Sequence, residues 1–128
     1  MTTAITGPTP ILRSFDEAAA RAFYCDFLGC TVQFEHRFAP DLPLYLGLRL
    51  GEAELHLSEH HGDACPGAHL RFAVDDIDAF AVTLQARPYE RLRPGAPERK
   101  PWGDRELTLT DPFGNRLTFA QPGAAGDQ

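Results

Sequence analysis

The stretch Asp111-Pro112-Phe113-Gly114-Asn115 separates Glu106–Thr110 from Arg116–Ala120 and is the most informative part of the sequence. Apolar residues alternate with polar ones on both sides of it, at Leu107, Leu109, Leu117 and Phe119. Alternation with this period predicts two half-buried strands. Pro presets φ, Gly accepts a positive φ, and Asx side chains bond their own backbone, so the five residues predict a turn. The C-terminal third is therefore predicted to be a β-hairpin. The sole tryptophan, Trp102, lies at its entrance.

Composition limits the possible functions. The chain has 128 residues, of which 43% are hydrophobic, and a formal net charge of −6, which is typical of one soluble domain. An acidic surface disfavours nucleic acid and favours neutral or cationic ligands. No apolar run approaches the ~20 residues that span a bilayer. Cys25, Cys30 and Cys65 have no C-x-x-C spacing, so reduced thiols are expected. We therefore expect a cytoplasmic protein that does not bind membranes.

Upstream of the hairpin, the first half of the chain predicts a strand, a helix and three further strands. Ile5–Leu12 is interrupted by Gly and Pro, which favours an edge strand or an arm. A capping box from Ser14 to Glu17 predicts the start of the helix, and Gly29 its end. The three strands predicted after it are Thr31–Glu35, Leu44–Leu50 and Ala53–Ser58.

The second half repeats this order after a polar loop, Glu59–Gly67. The predicted elements are a strand over His69–Val74, a helix capped by Asp75 or Asp76, a weak strand over Tyr89–Leu92, and the hairpin. The simplest account is a single α+β domain over residues 1–128 with two βαβββ modules, at about residues 5–58 and 69–120. Residues from about 122 to 128 are expected to form a disordered tail.

Alternation also assigns the strand residues to faces. Leucine and phenylalanine side chains form the layer under the helices. The opposite face carries Tyr45, Arg49, Glu54, His56, Ser58, His69, Arg71, Glu106, Thr108, Thr110, Arg116 and Thr118. If the mixed sheets curve, this face becomes a concave crypt with histidines, carboxylates and aromatic walls, which is typical of small-molecule sites.

The chain resembles the vicinal oxygen chelate superfamily, which includes glyoxalase I, extradiol dioxygenases and bleomycin resistance proteins. The resemblance runs from about Ile11 to Phe119 and is strongest to the bleomycin resistance proteins. It rests on Leu12-Arg13-Ser14, Phe23-Tyr24, Leu28-Gly29, Leu55-His56-Leu57-Ser58, Pro101-Trp102-Gly103 and the Asp111–Asn115 turn. Of these, Pro-Trp-Gly is the narrower signal, because the turn motif is shared across the superfamily.

Enzymes of this superfamily hold a divalent metal at four positions, which by resemblance correspond to about Thr9, His56, His69 and Thr118. Thr118 stands where a carboxylate is usual, and a neutral hydroxyl replaces an anionic ligand poorly. We therefore expect no metal cofactor. The alternative is Fe, Ni or Zn held by His56, His69 and a recruited Glu106 or Glu54, as in a metal-dependent lyase, isomerase or dioxygenase.

The resemblance implies a binding protein that sequesters a bleomycin-type antibiotic in crypts at a homodimer interface, with possible exchange of the first strand. A weaker alternative is a self-resistance or tailoring protein whose ligand is some other natural product. Planar rings need aromatic platforms and cationic tails need carboxylates. The candidate ligand-binding residues are Phe38, Tyr45, Arg49, His56, His69, Trp102, Glu106 and Thr118, with Glu54 as a second carboxylate.

Overall fold

The computed structural model describes residues 3–89 and 94–123, and it forms two four-stranded sheets from successive halves of the chain. The first half contains β1 Ile11–Arg13, α1 Glu17–Ala20, a π-helical segment Arg21–Phe27, β2 Thr31–His36, β3 Tyr45–Leu50 and β4 Ala53–Ser58. The second half contains β5 His69–Ala73, α2 Ile77–Ala86, β6 Glu98–Arg99, β7 Arg105–Thr110 and β8 Arg116–Gln121. None of the helices in these ranges has the length and apolar character needed to span a membrane.

Both sheets have the same topology. The strand order is β1-β4-β3-β2 in the first sheet and β5-β8-β7-β6 in the second. In each, the strand before the helix pairs in parallel with the last strand of its module, and the other neighbours are antiparallel. The repeat of mixed sheets and the α+β fold that the sequence predicts are therefore confirmed.

Strand alternation places the apolar side chains in one core, as expected. Side chains on the inner face of β3, β4, β7 and β8 are almost fully buried, including Leu46, Leu48, Leu55, Leu57, Leu109, Leu117 and Phe119. The helical elements cover this face with Phe23, Tyr24, Phe27, Ile77, Ala81 and Leu84. The helical elements are thus buried in the same core as this face, and the opposite sheet face remains available for a site.

The first strand is shorter than predicted. The sequence suggested a strand over Ile5–Leu12, but pairing begins only at Ile11, where β1 lies beside β4. Pro8 and Pro10 have no N–H to donate to a ladder. The carbonyl of Pro10 still accepts a hydrogen bond from the His56 N–H at 2.9 Å. Residues 3–10 therefore form an arm outside the sheet.

The first helix begins later than predicted. The capping box assigned the N-cap to Ser14, but Asp16 is the N-cap, with its carboxylate accepting from the Ala19 N–H at 3.1 Å. Ser14 is instead buried and continues the β1 ladder by donating its N–H to the Ser58 carbonyl. The corresponding cap of α2, Asp76, was one of the two predicted and accepts from the Ala79 N–H.

The outer strand of the second sheet was not foreseen. The sequence suggested Tyr89–Leu92, but Tyr89 lies outside any strand, and Glu90–Leu92 are outside the described residues. The strand beside β7 is Glu98–Arg99, whose two exposed charged residues carry no alternation that a sequence pattern could detect. Of the predicted C-terminal tail, residues 124–128 also lie outside the described residues.

The predicted Asp111–Asn115 turn is also a buried polar centre. One Asp111 oxygen accepts from the backbone N–H groups of Phe113 and Asn115, both at 2.8 Å. The other accepts from the Tyr24 hydroxyl at 2.5 Å and the Asn115 side-chain amide at 2.9 Å. Burial, together with the Asp111 charge, raises the pKa of Tyr24 far above its ordinary value, so the phenol stays a donor.

Asn115 extends this centre to the first module. Its amide nitrogen also donates to the carbonyl of Arg13 at 3.0 Å, and its oxygen accepts from the Ala68 N–H at 3.2 Å. Asn115 is fully buried, so these bonds replace all contact with water. The turn that closes the hairpin therefore also joins the second module to β1 and to the start of β5.

We predict that Asp111→Ala lowers the free energy of unfolding by about 2–4 kcal/mol, because it leaves a buried phenol, amide and two backbone N–H groups without an acceptor. Tyr24→Phe should cost about 1 kcal/mol, since it removes one donor and keeps the carboxylate's other bonds. Urea unfolding measures both. The control is Asp41→Ala, at an exposed position. Equal stabilities of Asp111→Ala and this control would contradict the role given to the turn.

Candidate functional site

The polar faces of the two sheets carry the candidate site residues. Successive strand side chains point to opposite faces, so register identifies the members of each face. The first sheet presents Phe34, His36, Tyr45, Arg49, Glu54 and His56. The second presents His69, Arg71, Glu106, Thr108, Arg116 and Thr118. Two compact groups of contacts form on these faces, one on each sheet.

The first-sheet cluster consists of Phe34, Tyr45 and His56. A hydrogen bond of 2.8 Å joins the Tyr45 hydroxyl to His56 Nδ1. The Phe34 ring lies parallel to Tyr45 at 6.1 Å and meets His56 edge to face at 5.1 Å. Burial and the nearby Asp63 raise the pKa of Tyr45, which keeps its hydroxyl protonated. The cluster is an aromatic wall with one polar edge.

Gly47 explains how Phe34 reaches this position. It lies opposite Phe34 across β2 and β3, and a Cβ at Gly47 would come within 2.2 Å of the Phe34 ring. The Phe34 ring therefore occupies the space that a side chain at position 47 would need, so any larger residue there would exclude this arrangement. Phe34 was absent from the predicted site. The sequence did carry a signal for it, because Gly47 stands between Tyr45 and Arg49 at a position of the polar face and leaves room there for a neighbouring side chain.

The second-sheet cluster contains Trp102, Glu106, Arg71 and Asp104. Trp102 Nε1 donates to Glu106 Oε2 at 2.9 Å, and Arg71 donates to the same oxygen at 2.6 Å. Arg71 also donates to Asp104 at 2.8 Å. Glu106 is buried with 7% exposure, whereas Trp102 is 59% exposed. The indole is thus held by its N–H while its ring remains open to solvent.

The loop before β7 presents Trp102 through a tight turn. Gly103, which adopts a positive φ of 100°, donates its N–H to the Lys100 carbonyl at 2.9 Å. Lys100 in turn donates its N–H to the Asp104 carbonyl at 2.7 Å. Because both ends of the turn are bonded to each other, the backbone under Trp102 is fixed. The loop therefore displays the Trp102 ring to solvent rather than burying it.

Charge pairing keeps Glu106 ionised. Hydrogen bonding to Arg71 is the main reason that the pKa of Glu106 lies below its ordinary value of 4.5, although its burial acts in the opposite direction. The Trp102 N–H lowers the pKa further. Because the pKa of Glu106 is lower in the folded state, its ionised carboxylate stabilises the fold at pH values above its ordinary pKa. This stabilisation is lost as the pH falls through the folded-state pKa. At neutral pH the ionised Glu106 therefore accepts the hydrogen bonds of both Trp102 and Arg71.

Glu106 thus has different partners from those expected. The sequence suggested it as an open carboxylate for a cationic ligand group, but Arg71 and Trp102 already occupy its oxygen. Glu54 is the more open carboxylate. It is exposed and accepts one hydrogen bond, from the Thr9 hydroxyl at 3.3 Å. Arg71 and Asp104 complete the second-sheet cluster, although the sequence did not single them out for the site.

His69 and Thr118 form a chain of polar contacts beside this cluster. His69 Nε2 lies 2.7 Å from the Thr118 hydroxyl, which lies 2.8 Å from the Thr108 hydroxyl. The three side chains come from β5, β8 and β7, which are neighbours in the sheet. Thr118 is buried, so its hydroxyl is satisfied by these two partners.

The two remaining candidates, Phe38 and Arg49, make no hydrogen bond or ring contact with either cluster in the part of the chain that the structure describes. Phe38 is 75% exposed and contacts His36 and His60 edge to face, with ring centroids 4.7 and 6.3 Å away. Arg49 lines a cleft of about 580 Å³ that is also lined by the arm and by Arg71 of the second-sheet cluster. Phe38 is thus an exposed platform, and Arg49 is a charge at the margin of the polar face.

The candidate metal ligands are not brought together within one chain. His56 lies on the first sheet with Tyr45, whereas His69 and Glu106 lie on the second with partners of their own. Over residues 3–89 and 94–123, no group of three or more His, Cys, Asp or Glu side chains is placed to hold a metal ion. Within the described residues, His56, His69 and Glu106 therefore do not form one set of metal ligands.

Two of the three cysteines are held in the protonated form by burial. Cys25, Cys30 and Cys65 are free thiols. Burial raises the pKa of Cys30 to about 12 and also raises that of Cys25. Because the thiolate is the reactive form, both behave as small core residues at neutral pH.

Comparison with known proteins agrees with this fold. The profile of a family described as "Glyoxalase superfamily protein" matches residues 4–125. No curated protein matches the sequence. A bleomycin-binding protein solved in complex with bleomycin is 25% identical, with a TM-score of 0.69 over 91% of this chain and 98% of that one.

Two further structures share the fold. A bleomycin resistance determinant encoded on the transposon Tn5 is 24% identical, with a TM-score of 0.71 over 94% of this chain and 100% of that one. TnmS3, an antibiotic-binding protein from Streptomyces sp. CB03234, is 22% identical, with a TM-score of 0.71 over 95% of this chain and 100% of that one. Because the family profile spans nearly the whole sequence, the chain belongs to the glyoxalase superfamily.

Proposed function

We propose that this protein binds a small molecule of the bleomycin type without a metal and sequesters it. The observation that carries the proposal is Trp102, whose N–H is bonded to Glu106 while its ring stays 59% exposed. A surface indole fixed in this way offers a planar apolar platform with little rotamer freedom left to lose. The likeness to a bleomycin-binding protein supports the ligand class.

Charge supports the same class of ligand. The net charge of −6 gives an overall field that attracts cations. Glu54 is the exposed carboxylate on the first sheet, and the first-sheet cluster provides Tyr45 and His56 as hydrogen-bonding groups beside Phe34. A planar ligand with a cationic tail could stack on the indole and place its charge beside a carboxylate. We assign Glu106 the role of holding the platform.

We extend the proposal to a homodimer with crypts built from both protomers. In the described part of one chain, no hydrogen bond, ion pair or ring contact joins the first-sheet cluster to the second-sheet cluster. Several apolar side chains are also exposed, including Phe34 on the polar face of the first sheet, Phe38 and, in the arm, Ile5 with 91% exposure. A second copy could bring the clusters of two chains together, and the arm could be exchanged between them.

The proposed location is the cytoplasm.

Sedimentation tests this assembly. We expect twice the chain mass at about micromolar concentration, the range in which a standard-size interface is stable. The control variant Val82→Ser changes an exposed apolar residue on α2, away from both polar faces. The variant Phe34→Ser should weaken the dimer, while Val82→Ser should not. A monomer for the unmodified protein at this concentration would contradict the proposal.

The binding proposal predicts that bleomycin quenches the fluorescence of Trp102 saturably, because Trp102 is the only tryptophan. By calorimetry, Trp102→Ala should weaken binding by about 1–3 kcal/mol, the value of one stacking platform. Trp102→Phe should retain part of the affinity, since it keeps a ring but loses the bond to Glu106. Phe15→Ala is the control, because Phe15 is similarly exposed but packs against Phe113. Undiminished affinity in Trp102→Ala would contradict the stacking role.

We also predict that the purified protein carries no stoichiometric divalent metal. Thr118 provides a neutral hydroxyl already bonded to His69 and Thr108, so metal binding would have to break this chain of contacts. Elemental analysis checks this, both as purified and after loading with Fe, Ni or Zn. One tightly held metal per chain that is lost in His56→Ala would favour instead a metal-dependent lyase, isomerase or dioxygenase.

A further inference from the structure

The two modules are related by an internal repeat, and the helix caps show which positions correspond. Asp16 and Asp76 each accept a hydrogen bond from the backbone N–H three residues ahead, at 3.1 Å in both cases. Each follows a strand that pairs in parallel with the last strand of its module. One residue before the caps, Phe15 in the first module therefore corresponds to Asp75 in the second.

At one end of the junction between the modules, the hairpin turn of the second module fills the space against the first. Phe113 packs edge to face on Phe15 with ring centroids 6.1 Å apart. Asn115 donates to the Arg13 carbonyl, and Asp111 accepts from Tyr24. Aromatic and polar groups of the five-residue turn therefore close this end.

The other end of the junction lacks these groups. Here the turn between β3 and β4 has only two residues, Gly51 and Glu52, and the position of Phe15 is taken by Asp75. Between this turn and the start of α2 lies a cleft of about 700 Å³, which we call the junction cleft. It is lined by residues 50–53, 71–75, Phe80 and Phe119.

Most of the junction cleft is apolar. Phe72 stacks on Phe119 with centroids 4.9 Å apart, and Phe80 lies against Phe119 at 4.7 Å. Phe119 is buried, whereas Phe72, Phe80, Leu50 and Val74 are only partly buried and pack against the core. These side chains form a concave surface of the size that small-molecule sites have. Planar rings are suited to such a surface, because they can stack on or meet the aromatic side chains edge to face.

The rim of the junction cleft is negative. Glu52 and Asp75 are exposed, and neither makes a hydrogen bond or an ion pair with another residue of the described ranges. Arg71 also borders the cleft, but its charge is compensated by Glu106 and Asp104. Two uncompensated carboxylates beside an aromatic wall favour a cation over an anion.

We propose that the junction cleft binds a planar aromatic cation, with its ring against Phe72 and Phe80 and its charge beside Glu52 and Asp75. This site is separate from the Trp102 platform, although Arg71 borders both. It also does not depend on the proposed sequestration of a bleomycin-type drug. The inference rests on the unequal turns of the two modules, which leave one end of their junction open.

The test compares two probes of similar shape and opposite charge, 9-aminoacridine and anthracene-9-carboxylate. Titrations followed by amide NMR should show saturable shifts at Ala73–Asp75 with the cation, and binding at least about fivefold weaker with the anion. The double variant Glu52→Gln/Asp75→Asn should weaken cation binding about fivefold. Both residues are exposed, so the fold should persist.

The matched control is Asp26→Asn, which neutralises an exposed carboxylate remote from the cleft. It should leave the cation-induced shifts at Ala73–Asp75 unchanged. Three results would overturn the proposal: equal affinity for the anion, no saturable shift with either probe, or shifts confined to the Trp102 indole and lost in Trp102→Ala. The last result would leave the stacking role of Trp102 intact, so the two proposals fail separately.

Discussion

The buried carboxylate of Asp111 is the interaction on which the arrangement of the two modules depends. It satisfies two backbone N–H groups of its own turn and, at the same time, a phenol from the first module. A charge removed from water is stable only when donors surround it. Here the donors come from both halves of the chain, so the carboxylate has its full set of partners only when the modules are correctly docked. Local hairpin formation and long-range packing are therefore coupled through one side chain.

Much of the fold follows from local patterns. The hairpin around Asp111, the leucine layer and the cap at Asp76 depend on alternation and on side-chain bonds to nearby backbone, which a sequence displays directly. Ser14 shows the limit of this reasoning. It satisfies a capping pattern with Glu17, but its N–H is needed by the Ser58 carbonyl in the β1 ladder. A partner more than forty positions away along the chain overrides the local preference, and only the folded sheet reveals it.

The sequence predicts on which sheet face each candidate residue lies, but it does not predict which side chains that residue contacts. Alternation correctly places Tyr45 and His56 on one face, and Glu106 and Thr118 on another. It could not show that Arg71 and Trp102 meet on a single oxygen of Glu106, because three separate segments contribute to that bond pattern. Whether the assigned residues bind a ligand stays a prediction. The geometry adds that some polar side chains hold others in place, as Arg71 and Glu106 do around Trp102.

If Trp102 is the stacking platform that we propose, its bonded indole has a consequence for the range of ligands that it accepts. Because its N–H is occupied by Glu106, the side chain presents mainly the faces of its ring. Stacking on a ring face depends on flatness and polarisability, and it tolerates wide variation in the donors and acceptors of the stacked group. A platform of this kind discriminates weakly between planar scaffolds that differ in their substituents. Changes to the substituents of a ligand's ring system would therefore do little to weaken its stacking on this platform.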